Sequence, residues 1–339
     1  MIPSGKAKPL FVAGCQRSGT TAFAEYLNQH PKILVGVERY GRVPAKTITP
    51  ELFTFERILD YKEETIRPRE YYVELLSKKE PEKLEWIGDK NPNYVLHLEV
   101  LSRNNPGAHF IVLYRPVEEV AESWEVASSN PNDPWRGREN GFERGVHIWN
   151  RALRKTREFI ENGTNPKVLI VSYHDFFNCN ETCIPLISRF LGLRFDESIG
   201  KIWKEMSAQF EKEQRPKERL SGERAEFIQE NKDHAAEEWV LSRIDEQWDA
   251  LEREAEETEK VVHFLSGNPH KLAAALVRAR VEAEDQATRA RRLEQQVGEL
   301  KSSLADKARM AEKLEQRNER LTLRIRDLRR QIRNLQRHS

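Results

Sequence analysis

Along the first two-thirds of the chain, short apolar runs alternate with longer stretches in which apolar residues recur every three or four positions. PLFVAG, Pro9 to Gly14, is apolar between a proline and a glycine, and TTAFAEYLNQH just beyond it keeps helical spacing as far as His30 and Pro31. The order predicted is strand, loop, helix. HFIVLYRP (His109 to Pro116) and KVLIVSYHDF (Lys167 to Phe176) are β-branched runs flanked by proline or glycine, the pattern of strands buried on both faces of a parallel sheet. Helical patterns separate them: NYVLHLEVLSRN before the first, FERGVHIWNRALRKTREFIENG between the two. Strands alternating with helices predict an α/β sandwich that binds ligands at the carboxyl ends of its strands.

From Leu272 the period changes. With Val297 at position a of a heptad, the a positions read Val297, Leu304, Ala311, Asn318, Ile325 and Ile332, and the d positions read Leu293, Leu300, Lys307, Leu314, Leu321, Leu328 and Leu335. The register extends back through Ala283, Ala279, Leu276 and Leu272, so roughly nine heptads predict a coiled coil on the order of 95 Å long. Ile or Val at a with Leu at d, and a single Asn at an a position, favour a parallel homodimer. Asn268-Pro269 in LSGNPH fits a helix start. The expected domains are therefore residues 1–267, α/β, and residues 268–339, a long C-terminal coiled-coil helix; one long surface helix packed on the body is the alternative.

Charge sharpens that division. The 339-residue chain has a net charge of +1, yet from Lys271 onward it holds 18 basic and 10 acidic residues against 38 and 45 before it. The body is acidic and the tail basic. The arginines Arg320, Arg324, Arg326, Arg329, Arg330, Arg333 and Arg337 read as a solvated face, with nucleic acid or an anionic membrane as the less favoured partner. A mean hydropathy of −0.75 and the lack of a long apolar run predict a soluble, cytoplasmic protein. Cys15, Cys179 and Cys183 make no disulfide framework and have poor metal-ligand spacing, so free thiols are expected. The sequons at Asn162 and Asn180 would matter only in an exported chain.

The candidate chemistry starts in GCQRSGTT, Gly14 to Thr21, where two glycines have the spacing of G-x-x-x-x-G-K-[ST] but Thr20 stands at the lysine position. Backbone amides from Arg17 to Thr21 at the positive end of the following helix, with the hydroxyls of Ser18, Thr20 and Thr21, would still hold a phosphate. What is missing is the group that reaches a γ-phosphate, along with an acidic strand end for Mg²⁺. A second segment, IVLYRPVEEVAESW, puts Arg115 at a strand end and Ser123 two turns into the next helix. Together these can hold a further phosphate, one by its guanidinium fork and the other by its hydroxyl.

This pair of segments resembles the two signature segments of the sulfotransferases that use 3'-phosphoadenosine 5'-phosphosulfate (PAPS). The resemblance continues through HPKIL, GDKNPNY, VLIVSYHDF and RFLGL, over about residues 8 to 215. It implies a P-loop-like three-layer sandwich. It also implies that Arg17, Ser18, Gly19, Thr20 and Thr21 hold the 5' end of PAPS and that Arg115 and Ser123 hold its 3'-phosphate. Such a donor has no γ-phosphate for a lysine to reach. Arg17 in place of a common lysine, His174 in place of a usual glutamate and the lack of a KHN-like histidine set the chain apart from the cytosolic phenol and steroid branch. Those departures favour the bacterial and carbohydrate-like branches.

Sulfuryl transfer needs in-line attack, positive charge on the leaving oxygens and a base, and with an activated donor it requires no metal. Arg17 is the candidate for the leaving charge. Glu38, near an acidic base in related enzymes, is the candidate base, with Glu51 and His97 behind it; an ion pair of Glu38 with Arg39 or Arg42 is the structural alternative. Lys90 in GDKNP is a candidate for the sulfonate or the acceptor, oriented by Asp89, or else a solvated turn lysine. His174 is expected to pack structurally, and Arg215, Lys217 and Arg219 could form a basic lid.

RYGRVPAKTITPELFTFERILDYKEE and SSNPNDPWRGRENGFERG look like cleft-lining insertions rich in aromatic residues and arginine, which suits a saccharide or glycolipid acceptor. The competing functions are a P-loop kinase or nucleotidase, and a degenerate scaffold acting through its coiled coil. Cutting the chain after Gly267 is expected to leave a folded body that no longer dimerises. Sedimentation equilibrium checks this, and a dimeric truncation would show that the interface lies elsewhere.

Overall fold

Five strands, β1 (Lys8–Gly14), β2 (Ile33–Val37), β3 (Trp86–Lys90), β4 (His109–Tyr114) and β5 (Val168–Ser172), form one sheet in the order β2-β3-β1-β4-β5. Every pair is parallel. All five carboxyl ends therefore reach the same edge of the sheet, where ligands bind in open α/β folds. This computed structural model describes residues 7–60, 65, 67–131, 137, 140–163, 167–177, 183–195, 197–213 and 221–266. Two units divide the chain, Met1–Glu254 and Ala255–Ser339. The heptads from Leu272, the division at residues 267 and 268, the arginines of the tail, the lid residues Arg215, Lys217 and Arg219, and Cys179 and Asn180 lie outside the described residues.

The sheet is buried on both sides, and the alternation of side chains sorts it into two cores. Phe11, Ala13, Phe110, Val112 and Ile170 face one core. It is completed by α4 (Leu98–Asn104), α5 (Val117–Ser129), α6 (Gly141–Asn162), α10 (Gly222–Asn231) and the first turns of α11 (His234–Ser266). Leu10, Val12, Ile111, Leu113 and Val171 face the other, formed with α1 (Thr20–Leu27), α7 (Tyr173–Phe177), α8 (Cys183–Leu191) and α9 (Glu197–Glu213). Helix, sheet and helix make the three layers that the alternating pattern predicts. The remaining helices are the short α2 (Phe55–Leu59) and α3 (Arg69–Ser77) between β2 and β3.

Four boundaries differ from the expectation. The run KVLIVSYHDF leaves the sheet at Ser172, and Tyr173–Phe177 is helical. HFIVLYRP leaves it at Tyr114, just before Pro116, which has no N–H to donate to an internal ladder. NYVLHLEVLSRN is broken at His97 between a 3-10 turn, Pro92–Leu96, and α4. WIGDK, expected as a turn before Asn-Pro, is a fully buried central strand.

Both edges of the sheet are closed by a single carboxamide. On β2, Asn28 Nδ2 donates to the Val35 carbonyl and the Val35 amide donates to Asn28 Oδ1, both at 2.8 Å. On β5, Gln247 Nε2 donates to the Ile170 carbonyl and the Ile170 amide donates to Gln247 Oε1, both at 2.9 Å. Each amide side chain acts as one residue of an extra strand and blunts an edge that would otherwise offer unpaired backbone groups. Asn28→Ala and Gln247→Ala are each expected to lower stability by about 1–2 kcal/mol. The midpoint of urea unfolding checks this, and an unchanged midpoint in either variant would show that its edge is held by other contacts.

Candidate functional site

Each strand end supplies one part of the site. After β1 the loop Cys15–Gly19 turns into α1 through two left-handed residues, Arg17 (φ 74) and Gly19 (φ 85). Glycine is required at the second, since a Cβ there would lie 2.8 Å from the Tyr173 ring and 3.0 Å from Phe177. Nothing but backbone caps α1: its N-cap is Gly19, with no side-chain hydrogen bond and no acidic residue in the first turn. The first-turn N–H groups are thus left for an anion at the positive end of the helix dipole.

Not every expected donor is available. Ser18 is fully buried, and its amide (3.1 Å) and hydroxyl (2.6 Å) both donate to the Cys15 carbonyl, so it braces the loop from inside. Burial also pushes the Cys15 thiol far up, which makes it inert as a nucleophile.

Beside the loop, Arg17, expected at the 5' end of the donor, comes together with Arg115 and Ser123, expected at its 3'-phosphate. Arg17 Nε donates to Ser123 Oγ at 2.9 Å, and an Arg115 terminal nitrogen donates to the Arg17 carbonyl at 2.9 Å. Arg115 Nε is taken by Glu119 at 2.9 Å, and its guanidinium lies 4.1 Å from the centre of the Tyr173 ring. Two of the three guanidinium nitrogens are therefore engaged within the protein, and the third has no hydrogen-bond partner among the described residues. Glu119 also meets His174 Nε2 at 2.8 Å. His174 is 37% exposed and belongs to this cluster, which corrects its expected role as a packed structural histidine.

Glu119 and Tyr173 lie inside the segments IVLYRPVEEVAESW and VLIVSYHDF but carry no assigned role there. The i,i+4 spacing of Arg115 and Glu119 across the start of α5 was the one available signal for the first.

On the other flank stand Glu38 and Lys90. Glu38 follows β2 with φ 54, its amide donating to the Lys90 carbonyl at 2.7 Å. Lys90 ends β3 with a side chain only 1% exposed, and its Nζ donates to Glu38 Oε1 at 2.7 Å and to Thr21 Oγ1 at 2.8 Å. Burial lowers the Lys90 pKa, opposed by the Glu38 charge. This is no solvated turn lysine. The ammonium missing from the phosphate loop's own sequence arrives at Thr21 from the neighbouring strand.

The buried partner of Glu38 is Lys90, while Arg39 sends its guanidinium into the protein, donating to the carbonyls of Ile58 (2.9 Å) and Asp60 (2.6 Å). Of the candidates behind Glu38, Glu51 is exposed on a 3-10 turn. His97 lines a cavity with Gly107, Ala108 and Lys167, near the amino ends of β4 and β5, away from the strand ends that carry the loop.

Asp89, next to Lys90, does not orient it directly but holds the turn after β2. Its carboxylate accepts from the amides of Arg39 (2.9 Å) and Tyr40 (3.2 Å) and from the Tyr94 hydroxyl (2.6 Å). The first insertion expected from sequence to line the cleft sends Tyr40, Ile48 and Phe53 into the core, while most of its other described residues are half-buried or exposed. Among the described residues no group of three or more His, Cys, Asp or Glu side chains is placed to hold a metal ion, and no helix is long and apolar enough to cross a membrane.

The chain matches the model of the Sulfotransferase family over residues 9–197. No curated protein is similar enough in sequence to register as a match. Similar solved structures include the sulfotransferase domain from the curacin biosynthetic pathway, at 14% identity over 67% of this chain and 97% of that one, TM-score 0.41. A sulfotransferase from Mycobacterium avium aligns at 14% identity over 71% and 76%, TM-score 0.42. A mouse sulfotransferase complexed with PAP aligns at 16% identity over 73% and 84%, TM-score 0.39.

Burial pushes the Asp89 carboxyl up from 3.8 to about 7, against the pull of its three donors. The folded state thus keeps a proton that the unfolded chain releases, and stability present below pH 3.8 is lost as pH rises toward 7. Asp89→Asn is expected to flatten this decline in melting temperature between those two values; a variant with the wild-type slope would assign the titration to another group.

Proposed function

Since the chain belongs to the sulfotransferase family, we propose that it transfers a sulfonate group from PAPS to a hydroxyl of an acceptor, a saccharide or glycolipid. The observation that carries the donor assignment is the meeting of Arg17, Arg115 and Ser123 beside the uncapped start of α1. The residues fit a nucleotide with two separated anionic ends. Glycine at position 19 and the free amides of the first turn suit the 5' end, with Thr20 and Thr21 adding hydroxyls. The unengaged nitrogen of Arg115 and the Ser123 hydroxyl suit the 3'-phosphate. PAPS supplies an activated sulfonate, so the protein's own work is to bind, orient and handle one proton.

Glu38 is assigned that proton. Lys90 engages Oε1 and leaves Oε2 to accept hydrogen from the attacking hydroxyl, whose oxygen forms the new bond to sulfur as the bond to the 5'-phosphate breaks. Lys90, held at Thr21, and Arg17 of the loop are assigned the stabilisation of charge on the leaving phosphate. The left-handed conformations of Arg17 and Glu38 support the assignment. Each costs roughly 1–2 kcal/mol for a residue with a Cβ, and such strain collects at functional positions. A homodimer formed through residues 268–339 completes the proposal.

Calorimetry with 3'-phosphoadenosine 5'-phosphate (PAP), against adenosine 5'-phosphate and ATP with Mg²⁺, tests the donor site. Micromolar binding that needs the 3'-phosphate is expected, weakened by about 1.5–3 kcal/mol in Arg115→Ala or Ser123→Ala. Glu38→Gln is expected to keep PAP affinity and to lose turnover by about 10²–10⁴-fold. Preference for ATP, or unchanged affinity in both donor-site variants, would overturn the assignment.

A further inference from the structure

Behind the loop, on the side of α6, lies a cavity of about 170 Å³. Cys15 and Gln16 of the loop, Asn93 of the 3-10 turn after β3, and Arg144, Ile148 and Arg151 of α6 line it. A second cavity of about 340 Å³ shares Arg144, Ile148 and Arg151 and extends the groove along α6 past His147 and Glu143 to Asn140. The groove thus starts at the loop already assigned to the donor and runs outward.

What gives it specificity is the state of its arginines. α6 carries Arg144, Arg151, Arg154 and Arg157. The last two are paired with carboxylates, Arg154 with Asp233 at 3.1 Å and Arg157 with Glu161 at 3.0 Å. Elsewhere in the body Arg57, Arg103, Arg115, Arg189, Arg224 and Arg243 also have carboxylate partners. Among the described residues, Arg144 and Arg151 have none. The recorded contact of Arg144 is with the face of Trp124, 5.7 Å away, which supports the guanidinium plane and leaves its hydrogen-bonding edges unspent.

At 1.5 Å per residue the two arginines sit roughly 10 Å apart along one face of α6, with Ile148 between them. α6 is pressed onto α5 at Gly145, where a Cβ would lie 2.8 Å from Ala121 Cα, so their position relative to the loop is fixed by packing. At the inner end, Gln16 Nε2 donates to Asn93 Oδ1 at 2.5 Å, while Gln16 Oε1 is buried without a partner. An unmatched carbonyl of this kind calls for a donor, which an ordered water or a ligand hydroxyl can supply.

We propose that this groove is the acceptor subsite and that Arg144 and Arg151 select an acceptor carrying an oxyanion, a carboxylate or a sulfate ester, close to its reactive hydroxyl. The inference rests on the assignment of the loop to the donor. Neither arginine belongs to the donor or proton-transfer machinery, and both are exposed helix residues whose exchange for glutamine leaves the core intact.

The test is a titration of PAP-saturated protein with three matched probes: 4-nitrophenyl β-D-glucoside, the corresponding glucuronide and the glucoside 6-sulfate. The anionic probes are expected to bind at least about tenfold more tightly than the neutral one, by charge-assisted contacts. The Arg144→Gln/Arg151→Gln double variant should remove that preference while PAP affinity and the melting temperature stay at wild-type values. Preference for the glucuronide alone identifies a carboxylate, and for the 6-sulfate alone a previously sulfated sugar. Equal binding of all three probes, binding of none, or a preference that survives in the double variant overturns the proposal. Failure of wild-type protein to bind PAP would instead overturn the donor assignment on which it stands.

Discussion

A lysine ammonium buried to 1% exposure at the end of a central strand is the constraint around which this edge of the protein is arranged. An unpaired charge in such a place costs several kcal/mol, and only good geometry with full hydrogen bonding offsets that penalty. Lys90 obtains it by drawing three elements to one point: Glu38 from the end of β2, Thr21 from the first turn of α1, and its own carbonyl as acceptor for the Glu38 amide. Asp89, one residue earlier and pointing the other way, secures the two residues after Glu38 by their amides. Successive residues of β3 thus fix both sides of one turn, and that turn presents the Glu38 carboxylate to Lys90 beside Thr21.

The same arrangement explains how a phosphate loop works without its own lysine. In a parallel sheet with β3 adjacent to β1, a side chain at the end of β3 can reach the helix that starts after β1. Charge is then delivered to Thr21 without occupying a position in the loop, and the loop is free to adopt the tight left-handed path through Arg17 and Gly19. Because Lys90 arrives together with Glu38, the two roles proposed for them, positive charge for the leaving group and a base for the incoming hydroxyl, would be supplied as a unit. Disturbing either would leave the other badly solvated.

What could be seen in the sequence follows from how each signal is written. β1, β4 and β5 are continuous apolar runs, and the helices between them are strongly periodic, so element types and the α/β class were legible. β3 was not: Trp-Ile-Gly-Asp-Lys ends in two charged residues and contains glycine, a composition that strand propensity assigns to a turn. Its burial comes from partners far away in sequence, which no local pattern can report. The Arg115 and Ser123 pair was visible because its spacing crosses a single strand-to-helix junction. Glu119 sits inside the same segment yet was passed over, since a carboxylate in a helix's first turn already has a local explanation in the helix dipole. The tyrosine platform under Arg115 depends on β5 ending at Ser172, where the apolar run suggested that it continued.

The electrostatics of the donor side show how a site for anions can be stable before any anion arrives. The Arg115 guanidinium meets the Arg17 carbonyl in the loop before a helix N-terminus, and the Arg17 guanidinium meets Ser123, so positive groups gather around this loop. Glu119 offsets this by holding Arg115 Nε, and His174 in turn shares the Glu119 carboxylate, so the negative charge is tied to α5 and α7 and kept out of the loop itself. Arg115 is thereby stacked on Tyr173 with its orientation set and part of its hydrogen-bonding capacity unspent. A ligand then meets a preorganised guanidinium and loses little to ordering it. The groove along α6 follows a different rule. Neither Arg144 nor Arg151 is paired with a carboxylate among the described residues, and the one carboxylate lining the groove, Glu143, accepts from Asn140, so that an incoming oxyanion need not break an ion pair. On the proposed assignment, one anion site would be built for geometry and the other for charge, a difference suited to a donor of fixed structure and an acceptor recognised mainly by its sign.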